Sequence, residues 1–202
     1  ERAQNFINNN YRQDYWAPIA FHIVRSSNSI GGVPLYRLEQ GIDDLNFMYE
    51  NINLHFYQVS YDFIDNDNYL QIDSYDELNE LKNTNVIQNS INIYIVPSLA
   101  PNEDELCGIS SFVGNENQGI VMAESCFALP DNPSTLSHEV GHYFNLLHTH
   151  TGSSDQDENG IIDGVNAEYV DGTECGSRGD NFCDTPADPD LGDLVNSQCE
   201  YT

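Results

Sequence analysis

Hydrophobic positions in this chain form alternating strand-like and helix-like runs up to about residue 148, and then lose their regularity. Residues 17–24 are a nearly continuous apolar run with Pro18 near its start, the pattern of a buried strand. A Gly31-Gly32 turn follows. Leu35, Leu38, Ile42, Leu45 and Met48 then recur at helical intervals through Glu50, which predicts an amphipathic helix packed on a sheet. Residues 52–59 alternate as a half-buried strand, 75–81 suggest a short acidic helix, and 91–96 form the clearest strand, ended by Pro97. Residues 119–123 read as a shorter strand. Asp131, Asn132, Pro133 and Ser134 supply capping residues and a proline at the opening of the next helix.

That helix carries the chemistry of the chain. His138-Glu139-Val140-Gly141-His142 places two imidazoles one turn apart on the same face, able to reach one metal ion, with Glu139 rotated by roughly 100° towards a metal-bound water. His148 lies six residues beyond His142 and cannot share their helix face, so the helix must break between them. Asn145 marks the expected break, because asparagine tolerates the left-handed conformation that ends helices. Three neutral imidazoles plus water make the open tetrahedral site of a hydrolytic zinc centre.

This run resembles the extended zinc motif of the metzincins, HExxHxxGxxH. Gly179-Asp180-Asn181-Phe182-Cys183-Asp184-Thr185-Pro186-Ala187 is similar to the GDxxxDTPA segment that follows that motif in the pappalysin family, as is the continuation His148-Thr149-His150. The specific resemblance covers about residues 133–199. It implies an α/β (α+β) zincin fold, with a twisted mixed sheet, an active-site helix and a loop-rich C-terminal lobe. Residues 1–202 would form one metallopeptidase domain, with 1–148 as the upper lobe and 149–202 as part of the lower. The resemblance also implies that His138, His142 and His148 bind zinc, that Glu139 is the general base, and that Asp180, Asp184 and Thr185 help to hold calcium. The strand at 119–123 would be the edge strand that binds an extended peptide substrate.

Two departures matter. Asn145 stands where the motif has glycine, which its conformational tolerance allows. The methionine turn that metzincins carry beyond the third histidine has no counterpart here, since the methionines are Met48 and Met122. The chain is therefore expected to be truncated at Thr202, with its own cleaved C-terminal segment as a partner.

Composition narrows the rest. A hydrophobic content of 39% over 202 residues suffices for one domain with a real core. A net charge of −27, from 33 acidic and 6 basic residues, excludes a nucleic-acid backbone as partner and suits solubility, calcium, basic peptides or simply an acidic extracellular surface. No run approaches the roughly 20 apolar residues of a membrane span, and the N-terminus lacks a signal-peptide core, as expected of a mature segment. The 5 cysteines point to a secreted, extracellular protein. Cys107 and Cys126 flank a segment able to close as a hairpin and are expected to pair; the pairing among Cys175, Cys183 and Cys199 stays open. Asp155 to Asp163 copies the first part of an EF-hand loop, but Asn166 stands where the loop needs glutamate, with Glu168 two residues on, so calcium and a solvated acidic loop are both open. His22, His55 and His150 read as structural or exposed. The leading expectation is a secreted zinc endopeptidase. The rival is a secreted calcium-dependent binding module, or an inactive fragment with a non-catalytic zinc site.

Overall fold

The computed structural model describes residues 13–103, 105–130, 132–151, 168–169 and 171–187. The chain divides into two compact units, Glu1–Asn145 and Leu146–Thr202. In the first unit the described elements run β1 (Tyr15–Arg25), α1 (Tyr36–Tyr49), β2 (Leu54–Asp65), β3 (Gln71–Ile72), α2 (Tyr75–Leu81), β4 (Ile91–Val96), β5 (Ser98–Leu99), β6 (Gly108–Ser110), β7 (Ile120–Ala123) and α3 (Ser134–Tyr143). Five strands form a sheet in the order β2-β1-β4-β7-β6, and β3 pairs with β5 in a separate two-stranded ladder.

The pairings β1 with β2, β1 with β4 and β4 with β7 are parallel, whereas β6 runs antiparallel to β7. Parallel neighbours need crossovers, and α1 and α2 lie in the β1–β2 and β2–β4 connections. A sheet covered on both faces should have continuous apolar strands, and all of β4 and β7 is buried. One face packs Ile19, Phe21, Ile23 and Ile93 against Leu38 and Leu45 of α1 and Leu136 and Val140 of α3. The other packs Val24, Tyr94, Val96 and Val121 against Leu78 and Leu81 of α2. Helix α3 is thus clamped to the sheet by its apolar stripe, and Tyr49 of α1 donates to the Ser137 carbonyl at 2.9 Å.

The sheet and the helices fall where the hydrophobic pattern placed them, with two corrections. The face of α1 turned inward is centred on Leu38, Gly41 and Leu45, while Leu35 and Met48 are exposed. Gly41 has the Phe127 ring 3.0 Å from where a Cβ would stand; glycine carries no hydrophobic signal, so this close approach is invisible in the pattern. The second correction concerns the edge. The strand at 119–123 is interior, between β4 and β7's other neighbour, and the edge position belongs to β6. Three residues opening on a glycine are too short for period-two alternation to register.

Candidate metal centre

Helix α3 opens with the Asn132 side chain, whose Oδ1 accepts from the Ser134 backbone N–H at 3.3 Å and from its hydroxyl at 2.7 Å; Asp131 lies outside the described residues. It closes where the sequence suggests, with Asn145 at φ +68° and its N–H donating to the His142 carbonyl at 2.8 Å.

On this helix His138 and His142 bring their Nε2 atoms to 3.0 Å, with ring planes at 84°. Two nitrogens on one tetrahedral zinc, each at about 2.0–2.1 Å, would be separated by roughly 3.3 Å, so the pair is close to a chelating geometry. His148 joins them: one ligand atom from each of the three residues lies within 4.8 Å of the others. Burial and the neighbouring His142 both hold the His138 pKa below the ordinary histidine value, which favours the neutral imidazole a metal requires. This donor set fits zinc. His150 stacks on His148, with ring centroids 4.8 Å apart, and is not one of the three.

Glu139 points the other way, into the protein. It is 6% exposed, and burial raises its carboxyl pKa above the ordinary range, with His142 opposing. The space it occupies is made by Gly108 at the start of β6: a Cβ there would lie 2.6 Å from the Glu139 Cγ and 2.9 Å from its Oε1. No other residue type at 108 leaves this carboxylate in place. The Cys107–Cys126 disulfide, as expected from sequence, ties the start of β6 to the segment after β7. Gly108 escaped the sequence reading, and the only hint was its position beside Cys107.

The second unit, in its described part, is a set of local links. Cys175 pairs with Cys183, and Cys199 lies outside the described residues, as does the acidic loop at 155–163. Asp180 is buried; its Oδ1 accepts from the Phe182 N–H at 2.9 Å and its Oδ2 from the Thr185 hydroxyl at 2.7 Å. Asp184 is exposed and Thr185 half-buried. Beside Gly179, Glu168 Oε2 is buried without a hydrogen-bond partner among the described residues.

His22 and His55 take structural places. His22 is bonded to Asp62 at 2.7 Å and Asn92 at 3.0 Å and stacks on Tyr94, and His55 stacks on Trp16.

No family model matches the chain. The chain resembles pappalysin-1. It is 32% identical to human pappalysin-1 over 89 residues, 41% of this chain and 5% of that protein. It is 27% identical over 191 residues, 88% of its length, to extracellular metalloproteases of Arthroderma benhamiae and Trichophyton verrucosum, and spans 66% of each. Among solved structures it is similar to archaemetzincin from Methanopyrus kandleri at a TM-score of 0.44 and 13% identity, covering 73% of this chain and 82% of that one. Metalloproteinase-II from Bacteroides fragilis gives a TM-score of 0.43 at 13% identity, covering 73% of this chain and 51% of that one. The sequence likeness to pappalysin-1 agrees with the resemblance carried by the zinc-motif and GDxxxDTPA segments.

Proposed function

We propose that the chain is a secreted zinc-dependent endopeptidase of pappalysin-like type. The observation that carries this reading is a buried carboxylate, Glu139, on the same helix turn as two members of the three-histidine group, in a space kept open by Gly108. A carboxylate costs free energy to bury, and the placement is explained if it must hold a proton next to a reacting bond. His138, His142 and His148 would hold the metal. When bound, zinc supplies Lewis acidity that polarises the scissile carbonyl and acidifies water.

Glu139 accepts the proton of the attacking water and passes it to the departing amine nitrogen, a cycle eased by burial, which raises its pKa above the ordinary carboxylate value. The substrate is an extended peptide. The outer edge of β6 has no strand partner among the described residues, so its backbone groups can bond a peptide laid along it.

Secretion is supported by the two disulfides and by the extracellular relatives; no helix among the described residues is long and apolar enough to cross a membrane. Calcium in the second unit is the finer part of the proposal. It rests on the buried, unpartnered Glu168 Oε2 beside the segment that carries Asp180, Asp184 and Thr185. Elemental analysis of the purified chain tests both metals: the expected result is one zinc, lost on mutation of the histidines, and calcium lost on Glu168→Gln. Hydrolysis of a quenched peptide library tests the activity, and turnover by the metal-stripped chain equal to that of the loaded chain would refute it.

A further inference from the structure

The segment after β6 is fixed in an unusual way. Ser111 turns inward and is 7% exposed, while the next two residues come to the surface, Phe112 at 37% and Val113 at 48%. The Phe112 ring stands edge-on to His142, centroid to centroid 6.2 Å. Val113 N–H donates to the carbonyl of Tyr143, the residue after His142, at 3.2 Å. The far side of the loop is pinned as well: Lys82 Nζ donates to Ser111 Oγ at 2.7 Å, Ser111 Oγ donates to the Asn117 carbonyl at 2.8 Å, and Asn83 Nδ2 donates to Asn117 Oδ1 at 3.0 Å. Lys82 ends α2 and is itself buried, a costly place for an ammonium that donates to a neutral hydroxyl.

Exposed apolar side chains are common and singly mean nothing. Here Phe112 stands against a metal-ligand candidate and Val113 is bonded through its N–H to the residue after that candidate, at the end of the strand proposed to bind the peptide backbone. Phe112 lies four positions beyond Gly108, which lies against Glu139, so an extended peptide reaches from one to the other within about four positions at roughly 3.3 Å each. We propose that Phe112 and Val113 form an apolar subsite that selects an aliphatic or aromatic side chain of the substrate within about three residues of the cleaved bond. In this arrangement Lys82 is a positioning residue, acting through Ser111 to hold the loop. The inference rests on the peptidase reading, and it names the substrate class that reading leaves open.

The test separates the two. The zinc-loaded 202-residue chain carrying Glu139→Ala is titrated with fluorescein-labelled octapeptides of alanine and serine containing, or lacking, a single leucine, and binding is read by anisotropy. The leucine peptide should bind about tenfold more tightly, and the advantage should vanish when Phe112→Ser is added. Lys82→Met should reduce the leucine advantage while the Glu139→Ala chain still melts cooperatively; an unchanged ratio removes its positioning role. Library cleavage by the wild type should show an apolar preference at one position within three of the cut, lost in Phe112→Ser. If the leucine advantage survives Phe112→Ser, the subsite is refuted. If binding depends on Phe112 but the wild type cleaves nothing, the subsite stands and the peptidase reading falls.

Discussion

The two units of this chain are built by different physics. The first holds its helix with two apolar clusters on opposite faces of one sheet, so the positions of His138, His142 and Glu139 are over-determined by Leu136, Val140 and their neighbours. The described part of the second is held by short-range links: the Cys175–Cys183 disulfide, Asp180 bonded to residues two and five further on, and Arg178 paired with Glu174. A core distributes the effect of a change over many neighbours; a set of local links loses a loop when one link goes. The difference teaches where precision resides. The proposed base Glu139 and two ligand candidates are on the side with the packed core, and the segment with the proposed calcium residues depends on its individual bonds.

Breaking the rigid side at its centre should have the largest effect. Phe21 is fully buried on the α1 and α3 face, edge-on to Phe127 at 5.8 Å, and Phe21→Ala should cost about 3–5 kcal/mol in urea unfolding. A cost below about 1 kcal/mol would show that this cluster does not hold the helix. Next comes Gly108→Ala, which displaces Glu139 and should lower kcat on the order of a hundredfold with zinc content unchanged. Unaltered turnover would show that the carboxylate has room elsewhere.

On the local side, Cys183→Ser removes a link spanning 8 residues, about 2–3 kcal/mol of loop-closure entropy. Limited proteolysis around residues 171–187 should accelerate while the apolar clusters unfold at the same urea concentration; unchanged cleavage would mean that Asp180 and Thr185 suffice. The smallest effect is a pH dependence at Lys82. Burial holds its pKa below the ordinary lysine value, so between the folded value and about 10.4 the unfolded chain binds more protons and stability rises with pH. The stability of the wild type relative to Lys82→Met should therefore increase as the pH is raised towards about 10.4. A flat difference would mean that the ammonium is solvated in the folded chain.

Legibility followed the same division. Strands β1, β2, β4 and β7 and the helices α1 and α2 announced themselves because buried faces impose period two or period 3.6 on the sequence. The candidate metal ligands are legible because one helix turn fixes the spacing of His138 and His142, and Asn145 marks the end of that helix. Gly108, β6 and the fixed loop from Ser111 to Gly119 were not, because their roles depend on what approaches them in space: a carboxylate from α3, an ammonium from α2. The pairing of Cys175 with Cys183 is hidden for the same reason, since spacing alone does not choose among three thiols.

The most direct test of the central claim is zinc content and peptide turnover measured together on the wild type, Glu139→Ala and His148→Ala. The account predicts that Glu139→Ala keeps its zinc and loses hydrolysis, because the carboxylate is a base and not a ligand, while His148→Ala loses both. Loss of zinc in Glu139→Ala, or full zinc and full rate in His148→Ala, would contradict it.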